Sequence, residues 1–298
     1  MMASQKRAQY PVGWLPYALV APQLAITIIF FFWPASQAMV QSLQVQDVFG
    51  AHVQFVGLLN FRELFADPYY LGSFWVTGEY AVLMAGSAMI ISLVLAACCD
   101  YLIRGTRAYK MLLVWPYAVA PAVAAVLWAF IFSPGVGIFT FVLKHWFGYD
   151  WNYLLNGGQA LTLVVIASAW KQISYNFLFF LSGMQAIPIS LIEAAAIDGS
   201  GPVRRFATII FPLLAPTTFF LLVVNFVNAF FESFGVIDTT TQGGPVRATD
   251  MLVYKVFEDG FKGGDLGGSA AQSVVLMAIV IGLTVIQFRY IERRIQYA

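Results

Sequence analysis

Polar and charged side chains interrupt two otherwise apolar runs in the second half of the chain. The first run, residues 159–182, carries four at the spacing of one helical face: Lys171, Gln172, Tyr175 and Asn176. The second run, residues 211–231 and the residue after it, carries three more: Asn225, Asn228 and Glu232. Because a lysine favours an anion and amides hydrogen-bond hydroxyl groups, the two faces predict a shared wet cavity on a solute pathway.

Two plainer interpretations of the same residues stay open at this point. A charged side chain inside a membrane is costly, so Lys171 could instead pair with an acid, for which Glu79 is a candidate. The asparagines could serve only to hold neighbouring helices together. Spacing alone does not choose between a cavity and these contacts.

No arrangement for catalysis accompanies these groups. The sequence has no G-x-x-x-x-G-K-[ST] phosphate loop, so we do not expect the chain to hydrolyse ATP. Its two histidines, His52 and His145, fall in separate loops without a metal-ligand cluster. We therefore expect no catalytic residue, metal or cofactor, and an intramembrane enzyme acting on lipid is disfavoured. The net charge of +1 gives no reason to expect nucleic acid.

Membrane helices must position the polar faces, because the chain is 60% hydrophobic and only 10% charged. Soluble domains carry about 25% charged residues. A helix needs about 20 apolar residues to cross a bilayer, and six runs qualify. They predict an all-α polytopic membrane protein with a single transmembrane domain over residues 1–298 and spans at about 15–38, 75–98, 111–134, 159–182, 211–231 and 269–288. Pro116 and Pro121 predict a kink in the third span.

The distribution of basic residues predicts the orientation of these spans. With the N-terminus inside, ten fall on the cytoplasmic side: Lys6, Arg7, Arg104, Arg107, Lys110, Arg204, Arg205, Arg289, Arg293 and Arg294. Five fall on the outer side: Arg62, Lys144, Arg247, Lys255 and Lys262. The positive-inside rule then places both termini in the cytoplasm. The longer outer segments, Val56–Tyr70, Trp146–Gly158 and Ile237–Gly268, can each hold short helices.

The stretch Ser190–Pro212 lies between the fourth and fifth spans, on the predicted cytoplasmic side. Ser190 and Glu193 stand at the spacing of a capping box, and three alanines follow as strong helix formers. Gly199 is a natural helix stop, and Ser200 or Gly201 can cap a second helix with Pro202 in its first turn. The stretch therefore predicts a helix, a tight turn and a second helix.

The same stretch resembles the EAA motif of the membrane subunits of binding-protein-dependent ABC importers. The motif is carried by Glu193, Ala194 and Ala195, then by Gly199, and ten residues later by Ile209, Phe211 and Pro212. Phe211 departs from the usual leucine, which is an exchange of one apolar residue for another. Segments such as WLPYALVAPQL and WKQISYNFLFF extend the resemblance over nearly the whole chain, to the maltose-permease-like group of sugar-type importers.

This resemblance implies a complex in the bacterial inner membrane. Its partners would be a second related permease, an ATPase homodimer that uses ATP and Mg²⁺, a periplasmic solute-binding protein and membrane lipid. It implies that a coupling helix docks on the ATPase, with these residues at or near the contact: Glu193, Ala194, Ala195, Asp198, Gly199, Arg204 and Arg205.

The resemblance also implies a substrate, sn-glycerol 3-phosphate, with glycerophosphodiesters as a further class. The alternative is a permease of the same class for another sugar or polyol. A secondary transporter is less favoured, because neither inverted repeats nor broken midplane helices are evident and the cytoplasmic motif would have no role.

Overall fold

Within the residues that the structure describes, four continuous helical segments are long and apolar enough to cross a membrane. The structure is a computed structural model that describes residues 13–46, 52–101 and 106–291. The first segment joins α1 (Leu15–Thr27) and α2 (Trp33–Gln41) through a π-helical turn at Ile28–Phe32. The others are α4 (Pro68–Tyr101), α8 (Gly157–Gln185) and α15 (Leu266–Ile286), which continues into a π-helical turn at Gln287–Ile291.

Two further spans are bent pairs of helices. In the third span, α5 (Thr106–Val114) and a 3-10 turn (Trp115–Ala118) meet α6 (Pro121–Ile131) at 104°. In the fifth, the run of α10 (Pro202–Arg205), a π-helical turn (Phe206–Ile210) and α11 (Phe211–Leu213) meets α12 (Ala215–Phe231) at 67°. Counting each pair as one span gives the six-span all-α fold predicted from the sequence.

Proline chemistry explains the break in the third span. Ala120 is extended, at φ −61° and ψ 142°, and Pro121 is the first residue of α6. A proline has no N–H for the helix and disfavours helical geometry in the residue before it. The sequence predicted a kink inside one continuous helix over 111–134, and the structure instead ends one helix and begins another.

Short elements fill the segments between the spans. Two of the three segments predicted to lie outside contain short helices. These are α3 (Leu59–Ala66) in the first, and in the third the end of α13 (Phe234–Thr240) and α14 (Leu252–Phe257), with a π-helical turn at Glu258–Lys262. The middle segment, 146–158, contains only the end of one helix and the start of another. The remaining helices are α7 (Ile138–Phe147) and α9 (Ile189–Ile197). A two-stranded antiparallel hairpin, β1 (Gln44–Gln46) with β2 (Val53–Phe55), was not predicted.

Helices α4 and α8 form the centre of the molecule. Their contact is rich in alanine, and Ala81, Ala88 and Ala167 are almost fully buried in one cluster. Small residues let two helix backbones approach closely where lipid offers no hydrophobic driving force between them. Helix α6 packs on α8, and α12 packs on both helices of the pair, so α8 holds its polar face at a fixed place in the bundle.

One amide side chain of α3 holds the hairpin in place next to the start of α15. Asn60 Nδ2 donates to the carbonyl oxygens of Ser42 and Gln44, each at 2.9 Å. Gly267 of α15 lies against the same strand, and a Cβ added there would collide with the Gln44 carbonyl oxygen. The contact therefore needs a residue without a side chain.

Two glycines of α15 give a matched test of this contact. Gly267→Ala should lower the stability of the protein by about 1–3 kcal/mol, because the added methyl group displaces the hairpin. Gly282→Ala, in the same helix with nothing within 4 Å of the added Cβ, should leave it unchanged or slightly higher. Thermal unfolding of the purified protein in detergent measures both, and equal melting temperatures would contradict the proposed contact.

Candidate solute pathway and coupling helices

Helices α8 and α12 are joined by pairs of amide side chains, here called the amide ladder: Asn176 with Asn225, and Gln172 with Asn228. In the first pair, Asn176 Nδ2 donates to Asn225 Oδ1 at 3.2 Å and Asn225 Nδ2 donates to Asn176 Oδ1 at 2.9 Å. Asn225 Nδ2 also donates to the Leu221 carbonyl oxygen at 2.7 Å. Both side chains are fully buried, so these two predicted pathway residues hold the helices together and do not line the cavity.

The second pair of the amide ladder lies one turn nearer the N-terminus of α8. Asn228 Nδ2 donates to Gln172 Oε1 at 3.3 Å, and both residues line a cavity of about 220 Å³. Gln172 Nε2 is buried and has no hydrogen-bond partner among the described residues. The amide ladder therefore passes from a buried, mutually bonded pair to a pair at the cavity wall that leaves one buried N–H group unpaired.

Lys171 and Glu232 bring opposite charges to the same cavity. Among the described residues, no carboxylate oxygen lies within 4.0 Å of the Lys171 ammonium. Glu79, the candidate partner from the sequence, is exposed and does not line the cavity. Lys171 therefore lines the cavity with Glu232 and does not pair with Glu79.

Three polar residues of the cavity wall were missed by sequence reasoning: Tyr80, Tyr117 and Ser168. Ser168 is three residues before Lys171 and four before Gln172, so helical spacing could have found it. Its hydroxyl group is buried next to the Tyr80 hydroxyl group, which can hydrogen-bond to it. An unpaired buried polar group costs about 1–3 kcal/mol, so the Gln172 amide favours an oxygen acceptor beside it.

The break in the third span brings Tyr117 to the cavity. Tyr117 belongs to the 3-10 turn before the break, and Pro121 after it also lines the cavity. The Tyr175 ring lies 5.5 Å from the Tyr117 ring, beside the cavity wall and outside the set of lining residues. Tyr80 comes from α4, where no spacing in the sequence linked it to Lys171.

The predicted capping box at the start of α9 is wrong. Helix α9 begins at Ile189 with Pro188 as its N-cap, and no side chain caps it. Pro188 is non-helical at φ −58° and ψ 124°, so helical geometry begins directly after it. Ser190 is therefore already inside the helix and its hydroxyl group is past the capping position.

The end of α9 is a Schellman turn, as Gly199 predicts. Gly199 has a φ of +78°, its N–H donates to the Ala196 carbonyl oxygen at 3.1 Å, and the Ser200 N–H donates to that of Ala195 at 2.9 Å. Gly201 is the N-cap of α10, and Pro202 is its first residue. The predicted helix, turn and helix are confirmed.

Apolar side chains on α9 and α10 are strongly exposed. Ile189, Ile197 and Val203 are 69%, 86% and 81% exposed. The predicted coupling residues around them are mostly exposed too: Glu193, Ala194, Asp198, Gly199 and Arg204, with Ala195 and Arg205 half-buried. Exposed apolar side chains rimmed by charges are typical of a site for another protein.

A second group of charges ties the outer segments together. The buried Lys255 ammonium lies 3.0 Å from the Asp259 carboxylate and 3.8 Å from that of Asp67. Gln272 Nε2 of α15 donates to Asp259 Oδ2 at 2.6 Å. Nearby, burial and then the charge of Glu258 raise the pKa of Asp250 to about 6. These contacts fix α14 and α15 to the start of α4, and sequence reasoning did not identify them.

Residues 14–297 match the family model described as "Binding-protein-dependent transport system inner membrane component". The chain belongs to this family of permease subunits of ABC importers. It is therefore a transport component of an inner membrane.

Relatives from several enterobacteria resemble the chain from end to end. The proteins named sn-glycerol-3-phosphate transport system permease protein UgpA from Yersinia pestis bv. Antiqua (strain Antiqua) and Salmonella typhimurium (strain LT2) are each 59% identical to it over 294 residues. In both alignments 99% of this chain and 99% of the relative are covered.

Solved structures show the same fold at low identity. A chain of a bacterial ABC transporter involved in the import of the acidic polysaccharide alginate is 19% identical, with a TM-score of 0.82 over 95% of this chain and 96% of that one. A second structure, of the alginate transporter in complex with an alginate pentasaccharide-bound periplasmic protein, gives a TM-score of 0.83 at 19% identity, covering 96% of each chain.

Mutations can test whether the buried pair of the amide ladder, Asn176 and Asn225, stabilises the protein without taking part in solute binding. Asn176→Ala should lower the free energy of unfolding by about 1–2 kcal/mol, because it leaves the Asn225 amide without its partner. The double variant Asn176→Leu/Asn225→Leu should lose less than the sum of the two single leucine variants.

Thermal unfolding in detergent measures these differences. The solute concentration for half-maximal transport should stay within about twofold of wild type in each variant that assembles. A large change in that concentration without a loss of stability would place these asparagines on the pathway after all.

Proposed function

We propose that this chain is the transmembrane permease subunit of an ATP-driven importer for sn-glycerol 3-phosphate, with glycerophosphodiesters as a second substrate class. The observation that carries the proposal is the 59% identity, over 99% of both chains, with permeases named for sn-glycerol-3-phosphate transport. A second, related permease would complete the pathway across the membrane. The whole chain, residues 1–298, would act as a single transmembrane domain.

The chemistry of the cavity supports a phosphorylated polyol. Lys171 offers a positive charge to a phosphate group, and the Gln172 amide and the Ser168 hydroxyl group line the cavity beside it. Asn228 and Glu232 offer acceptors to hydroxyl groups. These five residues lie on two neighbouring helices, and the amide ladder fixes the distance between those helices.

Energy would reach this chain from outside it. An ATPase homodimer would bind ATP and Mg²⁺ and contact α9 and α10 through their exposed apolar surface, while a periplasmic solute-binding protein would deliver the solute. Positive charge in the cytoplasmic segments supports a topology with both termini inside, although residues 1–12 and 292–298 lie outside the described residues.

The Schellman turn would carry motion from the ATPase into the membrane. Its two backbone hydrogen bonds close the end of α9, and α10 begins three residues after Gly199. Helix α10 continues through a π-helical turn and α11 towards α12. Movement of α9 would therefore shift the helix that bears Asn228 and Glu232. This coupling requires that the docked helix differs between inward-open and outward-open states.

The first experiment is ATP-dependent uptake of labelled sn-glycerol 3-phosphate into proteoliposomes that contain the complete importer. We expect uptake of this phosphate but not of maltose. Lys171→Met should reduce its uptake at least about tenfold, because it removes the cation of the cavity. Uptake of maltose and not of sn-glycerol 3-phosphate would still agree with an ABC importer, but it would contradict the proposed substrate.

A glycine pair tests the coupling turn. Gly199→Asp should abolish uptake and solute-stimulated ATP hydrolysis while the complex still assembles, because aspartate at a φ of +78° is strained. Gly199→Asn should retain partial activity, since asparagine tolerates this conformation better.

Gly201→Asp is the matched control for the added charge. Gly201 has an ordinary N-cap conformation, at φ −67° and ψ 163°, and aspartate is a favoured N-cap residue. This variant should keep most of the uptake. Normal uptake by Gly199→Asp would count against the turn as the coupling element.

A further inference from the structure

We infer that Glu232 sets the charge of the solute that the cavity accepts, favouring a phosphate group with one negative charge over one with two. This inference rests on the proposed function, because it concerns the preference of the same cavity among organophosphates.

The position of Glu232 is fixed by the helix that carries it. Glu232 directly follows α12, and its N–H donates to the Asn228 carbonyl oxygen at 2.8 Å. Its side chain therefore lies one turn from that of Asn228, which is bonded to Gln172 at 3.3 Å. Lys171 is next to Gln172 in the chain. The bond between Gln172 and Asn228 therefore brings the Lys171 ammonium and the Glu232 carboxylate to the same cavity.

Lys171 and Glu232 are the charged residues that the described part of this chain contributes to the cavity wall. The other lining residues are aromatic, aliphatic, hydroxyl or amide side chains. Within the described part of the chain, neither Lys171 nor Glu232 has an ion-pair partner within 4.0 Å. The net charge of this wall is therefore zero, and both charges act on whatever solute enters.

A single negative charge on the solute is matched by Lys171. A second negative charge meets no further cation on this wall and is repelled by the Glu232 carboxylate. Lys171 is half-buried and Glu232 is exposed, so the repulsion from Glu232 acts at an effective dielectric constant close to that of water. Glu232 thus opposes each added negative charge and can still accept hydrogen bonds from the hydroxyl groups of a glycerol moiety.

Phosphomonoesters and phosphodiesters differ in their charge at neutral pH. A phosphomonoester has a second pKa near 6 and carries between one and two negative charges at neutral pH. A phosphodiester has no second ionisable oxygen and carries one. The cavity should therefore favour the diester over the monoester of the same alcohol, and removal of the Glu232 charge should reduce that preference.

The test compares uptake of two solutes by the complete importer in proteoliposomes at neutral pH. They are sn-glycerol 3-phosphate and bis(glycero)phosphate, a phosphodiester in which both alcohols are uncharged glycerol. Both are supplied at concentrations that saturate the binding protein, so its own selectivity is the same in every variant. The readout is the ratio of the maximal uptake rate of the monoester to that of the diester.

In Glu232→Gln this ratio should rise at least about fivefold, the factor for one unit charge at about 4 Å in a water-like medium. Glu232→Asp keeps the charge and should keep the wild-type ratio. Glu79→Gln removes an exposed carboxylate that does not line the cavity, and it should also leave the ratio unchanged.

Three results would overturn the inference. The first is an unchanged ratio in Glu232→Gln with substantial uptake of both solutes. The second is loss of both solutes by assembled Glu232→Gln, because a charge filter is not needed to transport the diester. The third is wild-type transport of other solutes but neither phosphate, which would reject the proposed substrate and this inference with it.

Discussion

The architecture of the polar cavity depends on hydrogen bonding between amides in a setting with few competing partners. A buried amide cannot turn to water, so Asn176 and Asn225 satisfy each other across the α8–α12 contact. This fixes the rotation and the axial position of both helices. Gln172 and Asn228, one turn away, then meet at the edge of the cavity. The same two helix backbones also determine the positions of Lys171 and Glu232.

The elements that sequence predicts well are those decided by local composition. The apolar runs identify the spans because a bilayer requires about 20 apolar residues per helix. Gly199 identifies the turn after α9 because a backbone with positive φ needs glycine. Helical spacing likewise placed Lys171 and Gln172 on one face of α8, and both line the cavity.

The elements that sequence predicts poorly depend on contacts between distant parts of the chain. Asn176 and Asn228 look alike in the sequence, yet one is sealed between helices and the other reaches the cavity, because the packing of α4 and α12 decides which turn is covered. Tyr117 reaches the cavity only because the chain breaks at Ala120 and Pro121. The β1–β2 hairpin is three residues per strand and depends on Asn60, so it has little signal of its own.

Helix α1 has no buried residue, although its side chains are almost all apolar. The rest of the chain therefore contributes little to the free energy of placing it, and lipid or another subunit must contribute the remainder. During biogenesis this helix can enter the bilayer first and still be free to find its final neighbours last. The surroundings of α1, more than packing against the rest of this chain, then determine where that helix comes to rest.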